Sequence, residues 1–143
     1  MLVHGSCASR DGAAVLLLGP PGAGKSDLLL RLIGRGWGLV ADDQVVLDGV
    51  AVSAPPALRG MLEVRGLGIF QGLAVAEGAR LALVVDLVAR EAVQRLPAPA
   101  VWSPAGVPRV ALYGFDASVC DKVALALDAA RGRAAQRAGA FAA

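Results

Sequence analysis

The sequence predicts an α/β domain in which a central mixed β-sheet is flanked by helices and carries a phosphate-binding loop. Three observations predict it. A short apolar strand runs straight into a glycine-rich turn and then an amphipathic helix. Further apolar β-type runs follow, two of them ending in aspartates. A length of 143 residues suits one core of ordinary size rather than two. At 56% hydrophobic and 18% charged residues, the chain is too apolar to be intrinsically disordered. Residues 1–143 are read as a single domain, whose arginine- and alanine-rich tail from residue 131 is expected to fray.

Taken in order, Ala13–Leu18 is a buried β-type run stopped by Gly19-Pro20-Pro21-Gly22. From Lys25 to about Arg35, Leu28, Leu29, Leu32 and Ile33 recur at helical spacing, and Gly34 and Gly36 mark the end. Leu39-Val40-Ala41 reads as a strand ending in Asp42-Asp43. Two short runs, 45–47 and 50–52, flank Asp48-Gly49, a strong hairpin signal. Met61 to Ile69 is a strand candidate leading into the turn Arg65-Gly66-Leu67-Gly68. Leu81 to Val85 is a strand ending at Asp86. Pro97, Pro99, Pro104 and Pro108 make an extended loop before a short strand at Val110 to Leu112. Ser118 and Asp121 resemble a capping pair for a closing helix that presents Val119, Val123, Ala126, Leu127 and Ala130 on one face.

Composition excludes several classes of protein. The net charge of +2 comes from arginines spread along the whole chain, so no basic arm marks a nucleic-acid binder. No apolar run approaches the roughly 20 residues of a membrane span, and no secretory leader opens the chain. A cytoplasmic location without membrane or nucleic-acid partners is expected. Cys7 and Cys120 lack metal-site spacing and are expected to be a small surface residue and a helix-face residue.

The segment Gly19-Pro20-Pro21-Gly22-Ala23-Gly24-Lys25-Ser26 fits G-x-x-x-x-G-K-[ST], between a strand and a helix as that motif requires. Glycines let backbone N–H groups turn inward around phosphate oxygens, and the helix N-terminus adds positive potential. Lys25 is placed to reach the outer phosphates and the Ser26 hydroxyl to ligate magnesium. The chain has 12 arginines but two lysines, and one of the two falls where a compact ammonium on a flexible stem suits the loop. Nucleotide binding follows from these residues.

The acids are less decided. Asp42-Asp43 and Asp86 each end an apolar strand, as an acid delivered to magnesium would. The adjacent pair allows one carboxylate to face metal and the other an acceptor; read otherwise, it is a solvated turn before the hairpin, and Asp86 a helix cap or salt-bridge partner. Glu63, beside the turn at residues 65–68, is a magnesium candidate, although from the residues alone it is more often a cross-strand partner of Arg65 or Arg59. His4 is the single histidine, an unremarkable residue near a terminus unless it reaches the phosphates.

Together these residues resemble the catalytic, C-terminal domain of HPr kinase/phosphorylase, the bacterial enzyme acting on a serine of the phosphocarrier protein HPr. The resemblance rests on His4-Gly5, the loop Gly19 to Ser26, the acidic strand end Leu39 to Asp43, and Leu62-Glu63-Val64-Arg65-Gly66-Leu67-Gly68-Ile69, which is similar to the family signature. It runs from about His4 to Asp86. It implies a P-loop kinase domain of the HPr kinase/PEP carboxykinase-like fold, ATP and Mg2+ as cofactors, an HPr-type carrier as partner, and hexamers as the usual assembly. By the resemblance Lys25 binds phosphates, Ser26 and Glu63 hold magnesium, Asp43 is the acid/base toward the substrate serine with Asp42 as its partner, and His4 assists. Glu63, Val64, Arg65, Gly66, Leu67 and Gly68 form the substrate signature, Arg95 corresponds to a catalytic arginine, and Asp86 becomes structural. The implied role is regulation of carbon metabolism through the phosphotransferase system, with kinase activity better supported than phosphorolysis. The family's N-terminal domain is missing from the sequence, which reads as the short form. Two other functions stay open at this point: a P-loop kinase for a small molecule that uses Asp86, and a nucleotide-binding regulatory module without turnover.

Overall fold

The computed structural model describes residues 1–142. In chain order its first elements are β1 (Leu2–His4), β2 (Ser6–Arg10), β3 (Ala13–Leu18), α1 (Lys25–Gly34), β4 (Gly38–Ala41), β5 (Gln44–Asp48) and β6 (Ala51–Ser53). They are followed by β7 (Leu62–Val64), β8 (Gly68–Phe70), β9 (Arg80–Leu87), β10 (Val101–Trp102), β11 (Val107–Leu112) and α2 (Val119–Ala130).

The six apolar residues of β3 have no polar side to show to water, and the strand lies at the middle of the sheet. β9 pairs with it in parallel and β11 pairs in parallel with β9. On the other edge of β3, β2 is antiparallel, and β4 is antiparallel to β2. The main sheet therefore runs β4-β2-β3-β9-β11, with β10 as an edge strand on β11. At its start β9 also takes a partner from β6, through Ala51 and Arg80, and from there β6, β5 and β1 form an antiparallel ribbon.

Side-chain alternation along the central strands makes two apolar layers. Val15, Leu17, Leu83, Val85 and Leu87 face α1 and α2, meeting Leu28, Leu29 and Leu32 of the first helix and Val119, Val123 and Leu127 of the second. Leu16, Leu81 and Val84 face the other way, against Val45, Leu47 and Val52 of the ribbon and Trp102. Each such side chain contributes about 1.5–3 kcal/mol on leaving water. The mixed sheet is as expected, with both helices on one face and strands covering the other.

The structure departs from the sequence expectations at several points. β1 and β2 were not foreseen, since Ser6-Cys7-Ala8-Ser9-Arg10 shows no apolar alternation; small residues suit a strand packed on both sides between β3 and β4. Cys7 is accordingly fully buried rather than a surface residue, and burial pushes its thiol pKa far above the ordinary value. Met61 to Ile69 is a separate two-stranded hairpin, β7 and β8, turning at Arg65-Gly66-Leu67. The proline-rich segment contains β10, and β11 begins at Val107. Ser118 occupies the N-cap of α2 without a side-chain capping bond, while Asp121 pairs with Arg35. Beyond α2, the segment expected to fray has no helix or strand among the described residues, yet Ala140 joins the core and Phe141 packs against it. No helix among the described residues is long and apolar enough to cross a membrane.

Candidate functional site

Because β2 is antiparallel to both β3 and β4, those two strands run the same way and finish at one end of the sheet. The start of β2 lies between these finishing ends, with Ser6 opposite Leu17 and Cys7 opposite Ala41. His4, the loop after β3 and the acids after β4 are thereby gathered on one edge. Sequence alone joins them only through motifs; the antiparallel strand between them supplies the physical reason.

The loop enters α1 through Gly24, whose φ of 96° at the N-cap is a conformation that suits glycine. Gly19 is held close to β9: a Cβ there would stand 2.9 Å from the Leu87 carbonyl oxygen. The Lys25 ammonium lies across the loop, donating to the carbonyls of Gly19 at 2.6 Å and Pro20 at 3.2 Å. Glycine geometry, helix N-terminus and a cation on a flexible stem sit together, an arrangement suited to binding phosphate oxygens.

Asp42 is only 7% exposed. Its Oδ1 accepts from the Ser26 hydroxyl at 2.8 Å and from the Ser6 hydroxyl at 2.7 Å. It has no salt-bridge partner among the described residues. A buried carboxylate held by two neutral hydroxyls, one from the P-loop serine, supplies the hard oxygen donors a magnesium ion takes. Ser6 was not singled out from the sequence; its only signal is its place two residues after His4.

Asp43 behaves differently. Its φ of 69° lies in the left-handed region, uncommon outside glycine although aspartate is among the residues that enter it. Its carbonyl accepts the Gly5 N–H at 3.0 Å. Its carboxylate side chain is 65% exposed, 3.7 Å from Nδ1 of His4. Gly5 is required by space, since a Cβ would approach the Leu17 carbonyl oxygen to 2.7 Å.

The remaining expected residues form no side-chain hydrogen bond or ion pair with this group among the described residues. Glu63 sits on β7, exposed, with no hydrogen bond or salt bridge among the described residues; Arg59, one of its alternative partners, pairs with Glu77 instead. Val64 packs on the core, whereas Arg65, Gly66, Leu67 and Gly68 are exposed at the hairpin tip. Arg95 lines a groove of about 500 Å³ between its own segment, β11 and α2, and no P-loop residue or acid lines that groove. No cluster of three or more His, Cys, Asp or Glu side chains suited to a metal occurs among the described residues. Asp86 is tied up: Arg109 donates to both its oxygens, at 2.9 and 2.8 Å, and these hydrogen bonds to Asp86 raise the Arg109 pKa.

Fold and site define an α/β domain in which an acidic strand end meets the serine of a glycine-rich loop that opens a helix. The chain matches the family described as HPr Serine kinase C-terminal domain over residues 1–98. It belongs to that family. Among curated relatives, an HPr kinase/phosphorylase of Bordetella petrii is 45% identical over 109 residues, 66% of this chain and 35% of the relative. One from Leptothrix cholodnii is 47% identical over 103 residues, 64% of this chain and 32% of the relative. The chain thus spans about a third of the length of these relatives. The fold matches the structure of the Hpr(Ser) kinase/phosphatase from Coxiella burnetii with a TM-score of 0.77 at 24% identity, covering 93% of this chain and 92% of that one.

Proposed function

We propose that the protein transfers phosphate from ATP, with magnesium, to a serine of an HPr-type phosphocarrier protein. The observation that carries this reading is the division of labour at one strand end: Asp42 buried against Ser26 of the P-loop, and Asp43, the next residue, turned outward beside His4. In this reading the loop and Lys25 bind the triphosphate, and Ser26 and Asp42 hold magnesium. Glu63, a carboxylate without an ion pair among the described residues, contributes a further ligand from its hairpin. Magnesium, when bound, neutralises charge on the phosphates. The serine Oγ of the carrier attacks the γ-phosphorus, the bond to the β–γ bridging oxygen breaks, ADP leaves, and Asp43 takes the serine proton. His4 orients Asp43, and the signature hairpin from Glu63 to Gly68 meets the carrier. Arg95, in a groove that no P-loop residue lines, is left without a part in the transfer. A small-molecule kinase relying on Asp86 is less well supported, because both Asp86 oxygens are engaged by Arg109.

The test is incubation with γ-labelled ATP, magnesium and an HPr-type carrier, followed by identification of the labelled residue. Label on a serine is expected. Asp43→Asn is expected to lower the rate by roughly 10²–10⁴-fold, the range of a positioned general base, while ATP binding persists. Transfer at the native rate in that variant would remove Asp43 from the mechanism. Adding inorganic phosphate to the phosphorylated carrier measures the reverse reaction, expected to be the weaker of the two.

A further inference from the structure

We propose that Phe115 is the stacking platform for the base of the bound nucleotide. The proposal rests on the nucleotide reading above and adds a subsite to it. Phe115 lies in the segment after β11. β3, β9 and β11 are parallel neighbours, so this segment lies at the same end of the sheet as the P-loop, where open α/β sheets hold their ligands.

The segment touches the loop directly. A Cβ built on Gly24 would stand 2.9 Å from Cζ of Phe115, and one built on Gly114 would stand 2.6 Å from the Ala23 carbonyl oxygen. The ring therefore rests on the P-loop backbone beside Lys25, and it belongs to neither apolar layer. Half of Phe115 remains exposed, 50%, in a chain with only 4% aromatic residues. An unused aromatic face at that position suits a purine whose phosphates occupy the loop.

Its surroundings hold the ring in place. Tyr113 meets it edge to face at 5.7 Å between centroids. The Arg90 guanidinium covers Tyr113 at 4.4 Å and donates to Asp116 at 2.8 Å. Arg31 of α1 donates to the Gly114 carbonyl, tying the segment to the helix that begins in the P-loop. A rigid aromatic face loses little freedom on binding, and stacking alone tolerates different purines because it reads the π-face of the base.

The experiment measures binding of magnesium–ATP and of magnesium–tripolyphosphate, which has the phosphates without the base, to the native chain, Phe115→Leu and Phe115→Trp. Leucine keeps an apolar contact on Gly24 and removes the π-face. Phe115→Leu is expected to weaken ATP binding about tenfold with tripolyphosphate binding unchanged, and Phe115→Trp to keep both. The platform is overturned if Phe115→Leu binds ATP like the native chain, or weakens both ligands by the same factor, since a shared loss means the ring only shapes the loop. Failure of the native chain to bind either ligand would instead remove the nucleotide reading itself, and the platform with it.

Discussion

At Asp43 the left-handed backbone separates two carboxylates that are neighbours in sequence. Strand alternation alone sends them to opposite faces; the positive φ and the Gly5 N–H on the Asp43 carbonyl fix which one is buried. Asp43→Asn keeps a residue type that tolerates this conformation, so its denaturation midpoint is expected to match the native one, isolating the chemical effect. Asp43→Val places a β-branched residue there and is expected to cost about 1–2 kcal/mol, read as a lower midpoint in urea. Gly5→Ala pushes a methyl group toward a backbone carbonyl that cannot swing away; the expected loss is about 1–3 kcal/mol by the same measurement. The acid pair and the loop were legible in the sequence because each residue type has a chemical reason to be there. The burial of Asp42 under Ser6 was not, because it depends on a strand that no local pattern announces.

Among the elements, β3, α1 and β9 were readable, since periodicity and turn chemistry agree in each; the hairpin was readable too, although Asp48 pairs with Ala51 and the turn falls at Gly49-Val50, one residue later than Asp48-Gly49 suggests. β2 was not: it takes its place from two neighbours rather than from its own alternation. Tyr113 and Phe115 were likewise passed over, although their rarity in this chain was the available signal. Between β9 and β11 the Arg109–Asp86 pair is partly buried and bidentate. Arg109→Lys retains the charge but loses the fork. It is expected to lower stability by about 1 kcal/mol, seen by chemical denaturation, while phosphoryl transfer continues at the native rate. A collapse of transfer would give this pair a part in the reaction that its place in the sheet does not suggest.

For the molecule as a whole, the two thiols report on integrity. Cys7 lies in the ribbon-side layer and Cys120 in the helix-side layer, both buried. Thiol labelling in native buffer is expected to be very slow at both, and fast at both in denaturant. Rapid labelling of Cys120 alone would show α2 opening independently of the sheet.

β9 bonds to β3, β6 and β11 at once, yet begins only at Arg80, after the P-loop, α1 and β4 to β8. A polypeptide leaving the ribosome displays the entire P-loop sequence long before the strand that braces it has been made. Until then Gly19 has no Leu87 to lean on. If the chain holds a nucleotide as proposed, that ability is expected to arrive during synthesis in one step, when β9 docks, and a nascent chain stalled after β6 is expected to pass an ATP column without being retained.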